Sequence, residues 1–211
     1  DMQKIIFNAH YLMYFDNGMG DYWRALALPY EAAMAQLGGD MFVKKASVEY
    51  HGSARYDDVL DVGLRCQRVG TSSVTFSGAI FRAEALLVGC ELVYVYANPS
   101  TQKSIPVPEL LRTLFQDFEA GQSITQTQTG SWADVGAQAS SLRQAVFVEE
   151  QGIDAAIVSD SLDASAVHAV ISNRMGQAVA SGRLLQYAPG VGQIGRMAVA
   201  RALRGSHLGG D

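Results

Sequence analysis

The 211-residue chain has two cysteines, four histidines and no surplus of cations. Cys66 and Cys90 each sit in an alternating, strand-like stretch, where a thiol reads as a buried side chain in a reducing cytoplasm rather than as half of a disulfide. The histidines (His10, His51, His168 and His207) are scattered, and two distant cysteines do not gather them into a metal site. Residues 1–120 carry 10 Lys and Arg against 14 Asp and Glu, and residues 121–211 carry 6 against 7, all six cations being Arg. Neither half is basic enough to suggest a nucleic-acid partner. No run of eighteen apolar residues occurs, so no membrane-spanning helix is expected, and no signal-peptide pattern is visible. What remains is a globular composition, 48% hydrophobic and 18% charged, in a length that suits one large or two modest domains.

The first half reads as a helix followed by strands. Tyr11, Leu12, Phe15, Met19, Tyr22, Trp23 and Leu26 recur at helical spacing from Ala9 to Leu26, with Gly18 and Gly20 weakening the helix or allowing close backbone packing. Pro29 opens a shorter helix to about Leu37, which Gly38-Gly39 stops. Four alternating stretches follow: Phe42–Tyr50, then Leu60, Val62, Leu64 and Cys66, then Val74, Phe76, Gly78 and Ile80, then Cys90, Leu92, Tyr94 and Tyr96. His51-Gly52-Ser53, Val69-Gly70-Thr71 and Asn98-Pro99-Ser100 mark the turns. A long helix with antiparallel strands makes an α+β layer, the sheet wrapped on the helix. Pro108 to Ala120 reads as a closing helix. The polar stretch from Gly121 to Thr129 marks a domain junction, although Ile124, Gln126 and Gln128 would also suit the first strand of a second domain. The expected domains are 1–120 and 124–211. In the second, Trp132–Gln151 reads as a helix, with strands at 166–172, 178–187 and 193–200.

Two places carry chemistry. Asp1 stands seven residues ahead of Asn8, which opens the amphipathic helix. Asn8 is a good N-cap, and a helix start presents free backbone N–H groups that could polarise a carbonyl beside the carboxylate. At the other end, a strand leads into the Gly-rich stretch Arg204-Gly-Ser-His207-Leu-Gly209, the pattern of a phosphate cradle. Paired Asp57-Asp58 sits at a turn and is expected to be solvated, and His10 to face solvent or a partner subunit.

The segment Asp1-Met-Gln-Lys-Ile-Ile-Phe-Asn8-Ala-His-Tyr11 resembles the active-site signature of hotdog-fold acyl-CoA thioesterases of the 4-hydroxybenzoyl-CoA thioesterase family. Asp1, Asn8, Ala9 and Tyr11 fall in register, whereas Lys4 and Ile5 stand where many members have Gly-His. The resemblance extends through Pro106-Val-Pro-Glu109, and the first strand of the family fold would precede Asp1. It implies Asp1 as nucleophile or general base, the backbone N–H at Asn8 facing the thioester oxygen, acyl-CoA as substrate, no resident cofactor, and a homodimer or homotetramer paired through the sheets. It also allows an acid supplied across the dimer from a partner subunit's central helix, for which Asp16 and Asp21 are candidates, and an acyl pocket lined by Phe76, Phe81 and Tyr94.

Residues 142–211 resemble the front part of a GNAT-fold N-acyltransferase. The matching pieces are Leu142-Arg143 with Val146-Phe147-Val148 and Glu150-Gln151, Asp160 and Asp163 before His168, Gly182-Arg183-Leu184, and Ile194-Gly-Arg-Met-Ala-Val199. This resemblance implies acetyl-CoA bound by the strand edge Met197, Ala198 and Val199 and by the loop Arg204, Gly205, Ser206, His207, Leu208 and Gly209. His207 stands where the central glycine of the loop is usual. His168 and Glu149-Glu150 read as structural. The chain is thus expected to be a fragment of a fused, bifunctional enzyme, cut at both ends. A non-catalytic acyl-CoA sensor and a hotdog dimerisation platform for the acyltransferase are the rival expectations.

Overall fold

The computed structural model describes residues 4–206 and residue 208. Asp1, His207 and Gly209 lie outside the described residues. The chain forms two compact units, one of residues up to Leu26 with Glu31–Gln122, the other of Ala27–Tyr30 with the residues from Ser123 onward. The fold is mixed α+β with antiparallel sheets. Among the described residues no helix is long and apolar enough to cross a membrane.

In the first unit, helix α1 (Ala9–Ala25) is followed by α2 (Tyr30–Leu37), strands β1 (Asp40–Tyr50), β2 (Asp61–Val69), β3 (Ser73–Arg82) and β4 (Ala85–Ala97), and helix α3 (Glu109–Glu119). The strands make one antiparallel sheet in the order β1-β4-β3-β2. The stripe Tyr11, Phe15, Met19, Tyr22 and Trp23 is buried, while Leu12, at the margin of the stripe, is exposed. Tyr22 meets the Phe76 ring edge to face at 5.3 Å, and Phe76 meets Phe115 and Tyr94, each at 5.7 Å. Such pairs add about 0.5–1.5 kcal/mol each to the burial of the rings. Phe76 and Tyr94 are therefore core residues rather than walls of an acyl pocket, a correction to the sequence reading.

Two glycines bring α1 close to the sheet. A Cβ on Gly78 would lie 2.8 Å from Phe15 and 2.7 Å from the Cys90 sulfur, and one on Gly18 would lie 3.0 Å from Leu64. Helix α3 covers the far end of the edge strand β2: Arg112 donates to the carbonyls of Val69 and Gly70, both at 2.9 Å, and Glu119 accepts from the Cys66 N–H and the Tyr22 hydroxyl, both at 2.6 Å. The Cys66 N–H and the Val69 carbonyl of β2 thus have partners without a further strand.

The second unit carries β5 (Thr125–Gly130), α4 (Trp132–Arg143), a π-helical turn (Gln144–Glu150), α5 (Ala155–Val158), a 3-10 turn (Ser161–Ser165), β6 (Val167–Asn173), β7 (Ala178–Ala188), β8 (Val191–Val199) and a closing 3-10 turn (Arg201–Leu203). Its sheet is antiparallel, in the order β5-β6-β7-β8. The polar stretch before Trp132 is thus an edge strand. The helix expected over 132–151 is α-helical only to Arg143. Beyond it the chain widens into the π turn, and Leu142 and Val146 pack together on Ala198. Asp134 secures the start of α4 by accepting from both the N–H and the hydroxyl of Ser131, at 2.9 and 2.7 Å.

Candidate active site

The start of α1 is strapped to the loop after β1. The Ile6 N–H donates to the Ala54 carbonyl and the Ala54 N–H donates to the Tyr11 hydroxyl, both at 2.9 Å. Tyr11 is buried, and its ring meets Tyr50 edge to face at 5.8 Å. The phenol hydroxyl fixes the loop while its ring anchors the helix, which gives Tyr11 a structural role in the matching motif.

Asn8 does not cap the helix with its side chain. Its backbone is already helical (φ −56°, ψ −32°) and its carboxamide makes no capping bond. A side-chain cap needs an extended backbone at that position. The helix opens one residue earlier instead, with the His10 N–H on the Phe7 carbonyl at 2.9 Å and a longer bond of 3.3 Å from Tyr11 to Asn8. The N–H groups of Asn8 and Ala9 find no acceptor among the described residues, as befits the first donors of a helix. Lys4 holds a left-handed backbone, φ +56°. The turn natural to glycine persists here with a side chain on it.

Other acids are engaged. Asp58 accepts from the Arg55 N–H at 2.8 Å and from Arg82 at 2.9 Å, and these bonds hold its carboxyl below the usual range. It is a paired turn residue rather than a solvated one. Asp21 pairs with Arg24. Asp16 and His10 are exposed. A cleft of about 460 Å³ runs beside α1, lined by Tyr14, Asn17, Asp21 and Tyr22 on the helix and Val62 and Leu64 on β2.

In the second unit the sequence-distant Arg143, Asp163, His168 and Arg183 form one buried cluster. Arg143 donates to both Asp163 oxygens, at 3.0 and 3.1 Å, and Arg183 bridges Asp163 and Asp160 at 2.9 and 2.7 Å. Arg143 also approaches His168 Nδ1 at 3.3 Å, while His168 Nε2 lies 2.9 Å from the Asp163 carbonyl. Since the guanidinium can only donate, Nδ1 accepts and Nε2 carries the proton. Trp132 stacks beside the group, 4.9 Å from His168 and 5.1 Å from the Arg143 guanidinium. Sequence reading singled out these residues in a motif, but their convergence shows only in three dimensions.

Strand β8 is an edge of its sheet and bulges: Ser181 pairs with Ala198 and Arg183 with Gly195, leaving Arg196 and Met197 opposite Gly182, with Arg196 at φ +53°. Beyond the strand, Arg204 is held by Glu150 through two bonds of 2.6 and 2.8 Å, which keep the carboxyl of Glu150 below its usual range. The Ser206 N–H turns back to the Leu203 carbonyl, and Leu208 packs on a core cluster that includes Leu203. The structure thus brings Met197–Val199 and Arg204–Ser206 to the same end of β8, with the Arg204 charge already neutralised. Among the described residues no cluster of metal-ligating side chains occurs.

The family model described as thioesterase superfamily matches residues 3–88. An Aquifex aeolicus (strain VF5) protein named as an esterase is 27% identical over 114 residues, 54% of this chain and 88% of its own. The acyl-CoA thioester hydrolase YbgC of Escherichia coli O157:H7 is 26% identical over 117 residues, 55% of this chain and 87% of its own. Among solved structures, a 1,4-dihydroxy-2-naphthoyl-CoA thioesterase from Synechocystis superposes with a TM-score of 0.51 at 18% identity, over 56% of this chain and 88% of its own, a likeness of fold. Over residues 3–88 the chain is similar to the thioesterase superfamily, and its N-terminal unit shares the fold of the Synechocystis structure.

Proposed function

We propose that the first unit hydrolyses an acyl-CoA thioester to a free acid and CoA. The observation that carries this is the strapped start of α1, which leaves the Asn8 and Ala9 amides without acceptors among the described residues, directly after the segment that begins with Asp1. The thioesterase-superfamily match and the kinship with a named acyl-CoA thioester hydrolase support the same reading. In this mechanism the thioester carbonyl oxygen rests on those N–H groups, which stabilise the negative charge that develops there. Asp1, as general base, takes a proton from water while the water oxygen bonds to the carbonyl carbon. The tetrahedral oxyanion collapses, the C–S bond breaks, and CoA leaves as a thiolate that is protonated. If Asp1 acts instead as nucleophile, the same amides hold the oxyanion and water cleaves the resulting anhydride. The cleft along α1 offers room for the acyl group. Tyr14 on its wall lies six residues past Asn8, about 9 Å along the helix axis. We place this activity in the cytoplasm, in a homodimer or homotetramer paired through the outer strand β1, with no nucleic-acid partner and no cofactor beyond its CoA substrates.

A second reading concerns the other unit, taken as a separate domain over residues 124–211. Its strand–helix–three-strand order and the bulge at Arg196 and Met197 favour a GNAT-type acyltransferase that binds acetyl-CoA along the Met197–Val199 strand edge and on the Arg204–Gly209 loop. The Glu150 grip on Arg204 would set the loop's position. Transfer to an amine needs positioning and a proton acceptor, with no metal.

The test follows CoA release with a thiol reagent across short, long and aromatic acyl-CoAs. Asp1→Asn abolishes release. Asn8→Pro fits the observed φ of −56° and deletes one N–H, and it lowers kcat about 10²–10³-fold. Asn8→Ala keeps the amide and leaves the rate within about threefold, well short of the loss of an oxyanion donor. Hydrolysis indifferent to Asp1→Asn and Asn8→Pro refutes the mechanism. CoA compounds binding without turnover favours the sensor or the dimerisation platform.

A further inference from the structure

A second cleft lies in the C-terminal unit, beside the bulge in β8. It has a volume of about 350 Å³ and is lined by Phe147 and Ile153 around the π turn, Ile157 and Val158 on α5, and Arg196 and Met197 on β8. Five of the six walls are apolar and the sixth is a guanidinium. Ile157 and Met197 are both exposed, so the apolar surface is open to a ligand.

Arg196 is fixed in place. Its Nη2 donates to the Ile157 carbonyl at 2.8 Å and to Asp160 Oδ2 at 3.0 Å. These two bonds tie the bulge to the start of the 3-10 turn and use one arm of the fork. Nη1 donates to no group among the described residues, and Nε is buried without an acceptor. The charge around it does not balance. Asp160 and Asp163 face three guanidiniums, those of Arg143, Arg183 and Arg196. Asp160 is shared between Arg183 and Arg196, and Asp163 between Arg143 and Arg183. One positive charge is left over, and Arg196 is the member of the group that reaches the cleft. A pre-positioned Arg with unused donors at the wall of an apolar cleft is a recognition element for a carboxylate.

We propose that this cleft binds an apolar monocarboxylic acid, its hydrocarbon part against Phe147, Ile153, Ile157 and Met197 and its carboxylate on the free arm of Arg196. Thioester hydrolysis is the class of reaction that releases such acids. The inference stands on the cleft and its charge, and holds whichever reaction either unit performs.

The experiment is isothermal titration calorimetry of the full chain with octanoate and with octan-1-ol, which share a hydrocarbon chain and differ in charge. Octanoate binds the unmodified chain at least about tenfold more tightly than octanol, the range of a charge-assisted hydrogen bond. Arg196→Met keeps the bulk and removes the charge, and brings the two ligands to similar affinity. Ile157→Trp, at an exposed position where folding is not at stake, fills the cleft and weakens octanoate by about tenfold or more. Octanoate bound in the first unit instead would be indifferent to both substitutions. Absence of octanoate binding at millimolar concentration, equal affinity for octanoate and octanol, or octanoate affinity unchanged by Ile157→Trp overturns the proposal.

Discussion

Replacing Asp163 by Asn tests what holds the second unit together. The carboxylate is 3% exposed and faces two guanidiniums, of which Arg143 is fully buried and Arg183 nearly so. Asn keeps the shape and one acceptor oxygen but removes the charge. Two cations then share the buried site with Asp160, itself already committed to Arg183 and Arg196. Breaking a buried pair from one side costs about 3–5 kcal/mol, because the charge left behind stays desolvated. The Asn side chain returns part of this through its remaining hydrogen bonds, so a loss of about 3 kcal/mol is expected. A domain has about 5–15 kcal/mol to lose.

Urea unfolding followed by the fluorescence of Trp132, which stacks on the cluster, reads the change. With a slope of about 1–3 kcal/mol per molar, the midpoint falls by about 1–3 M. The pH dependence gives an independent check. Burial pushes the Asp163 carboxyl up, but hydrogen bonds from Arg183 and Arg143 outweigh it, and the net shift is downward. Asp160 is lowered too, chiefly by its bond from Arg183. Groups lowered in the folded state contribute stability that is present above their unfolded pKa of about 3.9 and lost as pH falls through the folded value. The wild-type midpoint therefore stays flat from neutrality to about pH 5 and drops below about pH 4, and Asp163→Asn shows a shallower drop. A loss below about 1 kcal/mol, or an acid drop identical in the two proteins, would show that the cluster is not the support argued for here.

Three further outcomes follow from the first unit. Gly78→Ala forces a Cβ within 2.8 Å of Phe15 and costs about 1–3 kcal/mol, whereas Gly20→Ala meets nothing nearer than the far end of Arg24 at 4.0 Å and gains up to about 1 kcal/mol from helix propensity, both measured by chemical denaturation. Cys66 and Cys90 resist iodoacetamide at pH 8 until urea unfolds the chain, because burial pushes their thiols up to about 12 and about 11, and the Glu119 carboxylate adds to the shift at Cys66. Rapid labelling of the native chain would contradict that burial. Lys4→Gly relieves the left-handed backbone and stabilises by up to about 1 kcal/mol, while Lys4→Ile destabilises by about 1–2 kcal/mol, read as opposite shifts in thermal midpoint.

The parts of the fold governed by periodicity were legible in the chain. The stripe from Tyr11 to Trp23 and the alternation through β3 and β4 each follow from burying one face, and the structure buries Phe15, Phe76 and Leu92 as that rule requires, whereas the alternating edge strand β2 has no buried residue. Local rules failed where tertiary contacts decided the outcome. Asn8 has the right chemistry for a cap, yet the Ile6–Ala54 and Tyr11–Ala54 bonds turn the chain into the helix one residue early, and its carboxamide makes no capping bond. Thr125–Gly130 lacks an apolar face, so it reads equally as a junction or as a first strand; it is a strand because β6 offers it an edge. The cluster of Arg143, Asp163, His168 and Arg183 was present in the sequence only as separate motif letters. No periodicity can reveal that α4, the 3-10 turn, β6 and β7 bring them within hydrogen-bonding distance, or that Arg196 is left with an arm to spare. Hydrophobic patterning is a one-dimensional signal and encodes the scaffold, whereas a charged site depends on which elements meet. The strapped amides of α1 and the free arm of Arg196 both belong to that second kind of information.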